Sequence, residues 1–289
     1  MGKEINRCNL SMIIWLASYP KSGNTWVRLF LDSLLFKQDG NVNINDIGIK
    51  QFPLRGDFSS LTDKIDDENE FVKNCNLAQT KINLDNEIKF LKTHHALWRN
   101  GNYSFTNTEN TLGVIHIIRD PRNVITSVLN HFNRDDYEHA LEFMKNPLQC
   151  IGDRQRGNSA DLMTIISSWG NHYRSWRKFE KNNLLIKYED LINKPEEEFL
   201  KLCNFVEKIT SLKFEKNLVL KAIKNCEFDK LNRQEETNGF REGAKNIIGK
   251  NNKFFYLGPK NNWKKLLNKE IKCEIEKLFE KEMLEIGYL

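Results

Sequence analysis

The feature that most constrains this chain is a continuous apolar run, Met12-Ile13-Ile14-Trp15-Leu16, which ends before Pro20 and is followed by a short polar stretch, Lys21-Ser22-Gly23-Asn24-Thr25. A strand that is apolar at successive rather than alternate positions needs cover on both faces, as a parallel strand in an α/β sheet has. Apolar residues then recur at Trp26, Leu29, Phe30 and Leu34, the spacing of a core-facing helical stripe. The unit reads as strand, loop, helix. Its loop N–H groups and helix N-terminus point at the end of the strand, where unsatisfied donors and the helix dipole favour an anion. Lys21 adds a cation, Ser22 and Thr25 add hydroxyls, and Gly23 allows close backbone approach. This is a P-loop-like phosphate cradle. It is not the G-x-x-x-x-G-K-[ST] loop, because the Lys precedes the Gly and the upstream glycines are missing, which disfavours an ATP-splitting motor or kinase of that type.

Further strands are predicted at 88–95 and 112–118, with a turn near Asn100-Gly101. Alternation along the first of these puts Lys92 and His94 on one face and Thr93 and His95 on the other. The second runs into Arg119-Asp120-Pro121, a helix start with Asp120 as N-cap and Pro121 at the first helical position. Arg119 therefore sits at the carboxyl end of a strand, where open parallel sheets bind ligands. Helices are predicted at about 160–180, 194–206 and 214–226, a strand near 184–188, and an amphipathic charged helix over 268–286. Residues 40–86 predict short helices and loops, 132–160 a loop, and 238–265 a long glycine-studded loop. The fold class is α/β: one domain over 1–289, with a central, mostly parallel sheet flanked by helices.

The net charge of +5 arises from 44 basic and 39 acidic residues spread along the chain, so no concentrated basic face argues for nucleic acid, and a smaller anion suits it better. The six cysteines show no C-x-x-C pair, and no His stands at metal-ligand spacing. This predicts reduced thiols, a cytoplasmic setting and no metal. The first apolar run is broken by Ser18, Pro20 and Lys21, too soon for a membrane span or a signal segment. Nothing in the sequence reports on oligomeric state.

Tyr19-Pro20-Lys21-Ser22-Gly23-Asn24-Thr25-Trp26 resembles the YPKSGTTW loop with which PAPS-dependent sulfotransferases hold the 5′-phosphosulfate of 3′-phosphoadenosine 5′-phosphosulfate. Arg119 and Ser127 are similar to that family's 3′-phosphate pair, and Leu91-Lys92-Thr93-His94 resembles its Lys-Thr-His, whose His is the general base. Tyr188-Glu189-Asp190-Leu191 looks like the segment whose Tyr lies near the adenine. Phe240-Arg241-x-Gly243, with Gly258 and Trp263-Lys264, is similar to the family's Arg-Lys-Gly and Gly-x-Trp-Lys signature, whose Arg also meets the 3′-phosphate.

Three departures stand out. Asn24 replaces a Thr and keeps the ability to hydrogen-bond a phosphate oxygen; Glu242 stands where a Lys is usual and weakens the local positive field; and the gap from Gly243 to Gly258 is longer than the family pattern.

The resemblance implies in-line sulfuryl transfer from PAPS, without a metal, to a hydroxyl or amine of a small-molecule, lipid or glycan acceptor. It implies His94 as base, with His95 the alternative, and Lys21 and Lys92 as the cations that neutralise developing charge. Trp26, Trp169 and Trp176 are expected in the core, and Phe52, Phe58, Trp98, Phe132 and Tyr137 are candidates for the acceptor pocket. A phosphate-transferring kinase and a catalytically silent donor-binding protein are the rival readings.

Overall fold

The structure is a computed structural model that describes residues 12–132, 136–152, 162–243 and 252–289. Along the chain run β1 (Ile13–Ser18), α1 (Asn24–Leu35), β2 (Lys50–Gln51), α2 (Glu68–Ile82) and β3 (Lys89–Thr93). A hairpin of β4 (Arg99–Asn100) and β5 (Tyr103–Ser104) follows, turning at the expected Asn100-Gly101. Then come β6 (Thr111–Ile118), α3 (Pro121–His131), α4 (Tyr137–Lys145), β7 (Cys150–Ile151), β8 (Thr164–Ile165), α5 (Trp169–Arg177) and β9 (Asn183–Lys187). Among the described residues after β9 the α-helices are α6 (Tyr188–Asn193), α7 (Pro195–Ile209), α8 (Lys216–Asn225), α9 (Phe228–Asn238), α10 (Trp263–Leu266), α11 (Lys269–Leu278) and α12 (Glu280–Ile286).

The architecture is α/β, with a parallel five-stranded sheet in the order β2-β3-β1-β6-β9. The apolar run of β1 is fully covered, as its composition requires. Ile14 and Leu16 face one core with Phe30 and Phe199, whereas Ile13, Trp15 and Ala17 face another with Phe52, Phe105 and Trp176. A third cluster lies beneath α3, α4, α11 and α12. Because β1 has β3 on one side and β6 on the other, the chain switches direction across the sheet at the tip of β1, the place where doubly wound sheets open a crevice. Register aligns the tips: Ala17 lies opposite both Thr93 and His116, and Ile118 lies opposite Lys187.

Several expectations are corrected. The 40–86 region contains the 15-residue helix α2, capped by the Asp67 carboxylate on the N–H groups of Asn69 and Glu70, and its buried Phe71, Val72, Cys75 and Ala78 form a stripe masked by acidic neighbours. The expected loop at 132–160 contains α4. The helix expected from about 160 starts at Trp169, capped by Ser168, because Thr164–Ile165 pair with Cys150–Ile151 instead; residues 160 and 161 lie outside the described ones. Helix α9 was not anticipated, since Leu231 alone of its residues is buried and no apolar stripe marks it. The single helix expected over 268–286 is two, broken at Phe279, whose ring turns inward to within 5.1 Å of Trp169. Cys75, Cys203, Cys226 and Cys273 are free thiols, and no described helix is long and apolar enough to cross a membrane.

Candidate active site

At the tips of β1, β3 and β6 lies a cavity of about 550 Å³ whose wall includes Lys21, Gly23, Asn24, Thr25, Trp26, Lys92, His94, Arg119, Ser127, Tyr188 and Arg241. Residues that are separate in sequence thus converge on one space. Ser22 lies beneath them, fully buried.

The loop after β1 takes a tight path, with Lys21 at φ 67° and Gly23 at φ 100°, both in the left-handed region. At Gly23 an added Cβ would come within 2.5 Å of the Tyr188 ring, so only glycine lets that ring close over the loop. Arg119 ties the loop to β6: its Nη1 donates to the Lys21 carbonyl at 3.1 Å and to Ser127 Oγ at 3.2 Å, and its guanidinium stacks 4.2 Å over the Tyr188 ring. The Lys21 ammonium lies 3.7 Å from the Phe254 ring centroid. Burial, then Arg119 and Lys92, push its pKa down to about 7. Three cations gathered in this way form a site matched to a multiply charged anion.

His94 follows the last residue of β3. Its Nδ1 lies 2.8 Å from the Ser18 carbonyl, which makes Nδ1 the N–H donor and leaves the Nε2 lone pair as the acceptor. Burial, then Lys92, hold its pKa well below the ordinary imidazole value, so it is neutral near pH 7. His95 belongs to the core. It is fully buried, its Nδ1 accepts from Trp98 Nε1 and the Ile165 N–H, both at 3.2 Å, and its ring stacks against Phe71 and Phe105.

Three of the residues expected to hold the nucleotide make hydrogen bonds within the protein. The Asn24 amide is committed to the Leu16 carbonyl at 2.9 Å and Ser18 Oγ at 3.1 Å, so its donor group braces β1 behind His94 and is not aimed at a ligand. Arg241 is exposed and bonds Asn45 Oδ1 through its backbone N–H at 2.9 Å, while its neighbour Glu242 reaches Lys92. Gly243 closes a turn onto the Phe240 carbonyl. The C-terminal residue that touches Ser127 is Asn261, whose Nδ2 donates to Ser127 Oγ at 3.3 Å and to the Asn123 carbonyl at 2.8 Å. Asn261 was missed because a lone Asn in an Asn-rich loop carries no pattern. Two more wall residues escaped notice. Phe228 packs so closely on Gly258 that an added Cβ would sit 2.3 Å from its ring, and His131 is pushed down to about 3 by burial and then by Lys21 and Lys92.

Trp26 also lines the cavity, with its ring 5.8 Å from Tyr188, whereas Trp169 and Trp176 are core as expected. Of the five aromatic residues expected around an acceptor, only Phe132 is on the described wall; Phe52, Phe58, Trp98 and Tyr137 pack into the cores.

The residues fit a nucleotide bearing phosphate at both ends. Among the described residues, Ser22 Oγ, Trp26 Nε1, Arg119 Nε and Asn261 Oδ1 are buried without a hydrogen-bond partner, polar capacity that folding left unused around the cavity. No group of three His, Cys, Asp or Glu side chains among the described residues is placed to hold a metal ion.

The sulfotransferase domain family matches residues 12–287. Sulfotransferase 1B1 of Canis lupus familiaris is 27% identical over 205 residues, which cover 68% of this chain and 59% of that protein. Flavonol 3-sulfotransferase of Flaveria bidentis is 24% identical over 279 residues, 93% of this chain and 81% of the relative. Cytosolic sulfotransferase 17 of Arabidopsis thaliana is 20% identical over 291 residues, 95% and 75% of the two chains. Among solved structures, retinol dehydratase in complex with androsterone and inactive cofactor PAP has a TM-score of 0.58 at 17% identity, covering 94% of this chain and 81% of its own. A mouse sulfotransferase complexed with PAP has a TM-score of 0.56 at 18% identity, covering 94% and 85%. These two establish a shared fold. The chain belongs to the sulfotransferase domain family. By class it is a PAPS-dependent sulfotransferase.

Proposed function

We propose that this protein transfers a sulfuryl group from PAPS to an acceptor hydroxyl by in-line displacement, with His94 as general base. The observation that carries the reading is the bond from Arg119 to the Lys21 carbonyl: the two cations share one cavity and can grip the two ends of one doubly anionic nucleotide. The donor supplies the sulfuryl group and a leaving bisphosphate nucleotide. Lys21 and the first-turn N–H groups of α1 hold its 5′ end; Arg119, Ser127 and Asn261 hold the 3′-phosphate; Tyr188 and Trp26 flank the base.

His94 Nε2 takes the acceptor proton, and the Ser18 carbonyl supports the imidazolium through the Nδ1–H. Lys21 and Lys92 face the charge that develops during transfer. No part of this mechanism calls on a metal. Beyond His94 the wall is formed by Gln51, Leu54, Phe132, Ile151, Leu162 and Thr164, mostly apolar, which favours a hydroxyl on an apolar small molecule or lipid over a glycan. The androsterone and retinol named with the retinol dehydratase structures are of that kind. The chain is read as one domain working in the cytoplasm, as the name of its Arabidopsis relative suggests.

The test is titration with PAPS, PAP and ATP followed by an acceptor screen. Tight binding of PAP with weak binding of ATP, together with acceptor-dependent release of PAP, is expected. Preference for ATP with magnesium would instead indicate a kinase, and PAP binding without turnover on any acceptor a silent binding protein.

A further inference from the structure

One carboxylate reaches into a cavity whose other charged side chains, among the described residues, are cations. Lys21, Lys92, Arg119 and Arg241 line it, and Glu242 is the acidic side chain among the described lining residues. One Glu242 oxygen, Oε1, accepts from Arg28 Nη2, and the other, Oε2, lies 3.5 Å from Lys92 Nζ. Arg28 on α1 is only 1% exposed, so the carboxylate neutralises a guanidinium that cannot reach water. Burial alone would raise the Glu242 carboxyl, but Lys92 and Arg28 more than offset this and hold it below the usual range, so it is ionised. The side chain nevertheless keeps 39% of its surface exposed, and its contact with Lys92 is longer than its contact with Arg28.

We propose that Glu242 discriminates between the sulfated and the desulfated nucleotide: without nucleotide its carboxylate holds, on Lys92, the place taken by the donor's sulfuryl group. This rests on the reading that PAPS is the donor and Lys92 meets its transferring group. Two anions cannot share one largely buried ammonium without repelling each other, so PAPS must turn the carboxylate away from Lys92, whereas PAP, lacking the sulfuryl group, need not. Arg28 keeps hold of the first oxygen throughout, so the displacement is a rotation of one side chain while Phe240–Gly243 stays in place. Once the sulfuryl group has left, the carboxylate returns to Lys92 and repels the sulfate ester product.

The experiment measures binding of PAP and PAPS by calorimetry, without acceptor, to the wild-type protein and to Glu242→Gln, whose amide oxygen still accepts from Arg28. Glu242→Gln should bind PAPS about five- to tenfold more tightly while PAP affinity stays within about twofold. The gain should vanish in a Lys92→Gln background, because the effect acts through Lys92. Unchanged or weakened PAPS binding with PAP binding intact overturns the inference, and so does a gain that persists without Lys92. If Glu242→Gln does not fold, Glu242→Asp keeps the charge on Arg28 but draws it back from Lys92, and the ratio of PAPS to PAP affinity must rise there too. A wild-type protein that binds neither nucleotide overturns the donor reading itself, and this inference with it.

Discussion

The donor end of the cavity is assembled from neighbouring strand tips on one sheet edge, whereas the opposite end draws on segments as distant as Gln51, Phe132, Thr164 and Glu242. At the donor end Lys21, Lys92, His94 and Arg119 sit within a few positions of a strand terminus, so the register of β1 with β3 and β6 places them directly. At the other end, position depends on where loops and short helices come to rest after the cores have packed. A phosphate grip can therefore be written locally, while a substrate wall is a property of the packed whole.

The largest effect expected is on chemistry at the junction of the two ends. Replacing His94 with Ala should lower turnover about 10²- to 10⁴-fold while leaving PAP affinity within a few fold, read by steady-state kinetics and calorimetry. Near-normal turnover would move the base across to the acceptor side, to His131 first. Arg119→Gln should weaken PAP about 10²-fold, since it removes charge-assisted hydrogen bonds and a stacked cation, but should barely change binding of AMP, which lacks the 3′-phosphate. Equal losses for the two nucleotides would mean that Arg119 supports the fold of the site and does not read the 3′ end.

A pH experiment sharpens the donor side further. Lys21 is depressed to about 7, first by burial, and a bound phosphate raises it again, so binding takes up a proton wherever the ligand-free protein leaves the ammonium deprotonated. The contribution of Lys21 to PAP affinity is then full below pH 7 and falls by up to about tenfold per pH unit above it. Calorimetry near pH 8 in two buffers of different ionisation enthalpy measures that uptake, and its absence would remove Lys21 from the grip. The smallest effect belongs to the acceptor wall: His131→Ala should raise the acceptor KM about threefold to tenfold, with kcat and PAP affinity little changed. A loss confined to kcat would instead give His131 a share in the chemistry.

Legibility in the sequence follows the same division. The strand read at 12–19, found at 13–18, and the cap at Asp120-Pro121 were readable because each rests on a few consecutive residues, whereas the grouping of Lys21, Lys92, His94, Arg119 and Ser127 around one cavity was legible through the family resemblance. Helix α9 was not readable, since a helix that buries one side chain has no periodicity to find. Arg241 was matched by its neighbours in the chain, yet Asn261 is what meets Ser127, and that contact spans 134 positions. The aromatic residues expected around the acceptor were hydrophobic enough for either fate, and four of the five went to the cores.

By itself the sequence determined a buried parallel strand, an anion-seeking loop at its tip and a cation at the next tip but one, because hydrophobic pattern and local hydrogen-bonding geometry act over a few residues. Strand alternation already separated His94 from His95, but tertiary structure alone decided that His95 is sealed among Phe71, Trp98 and Phe105, and that Glu242 answers Arg28 and Lys92 across the molecule. Those outcomes depend on which surfaces meet once the cores close, and burial and charge pairing across such contacts are set by packing in three dimensions.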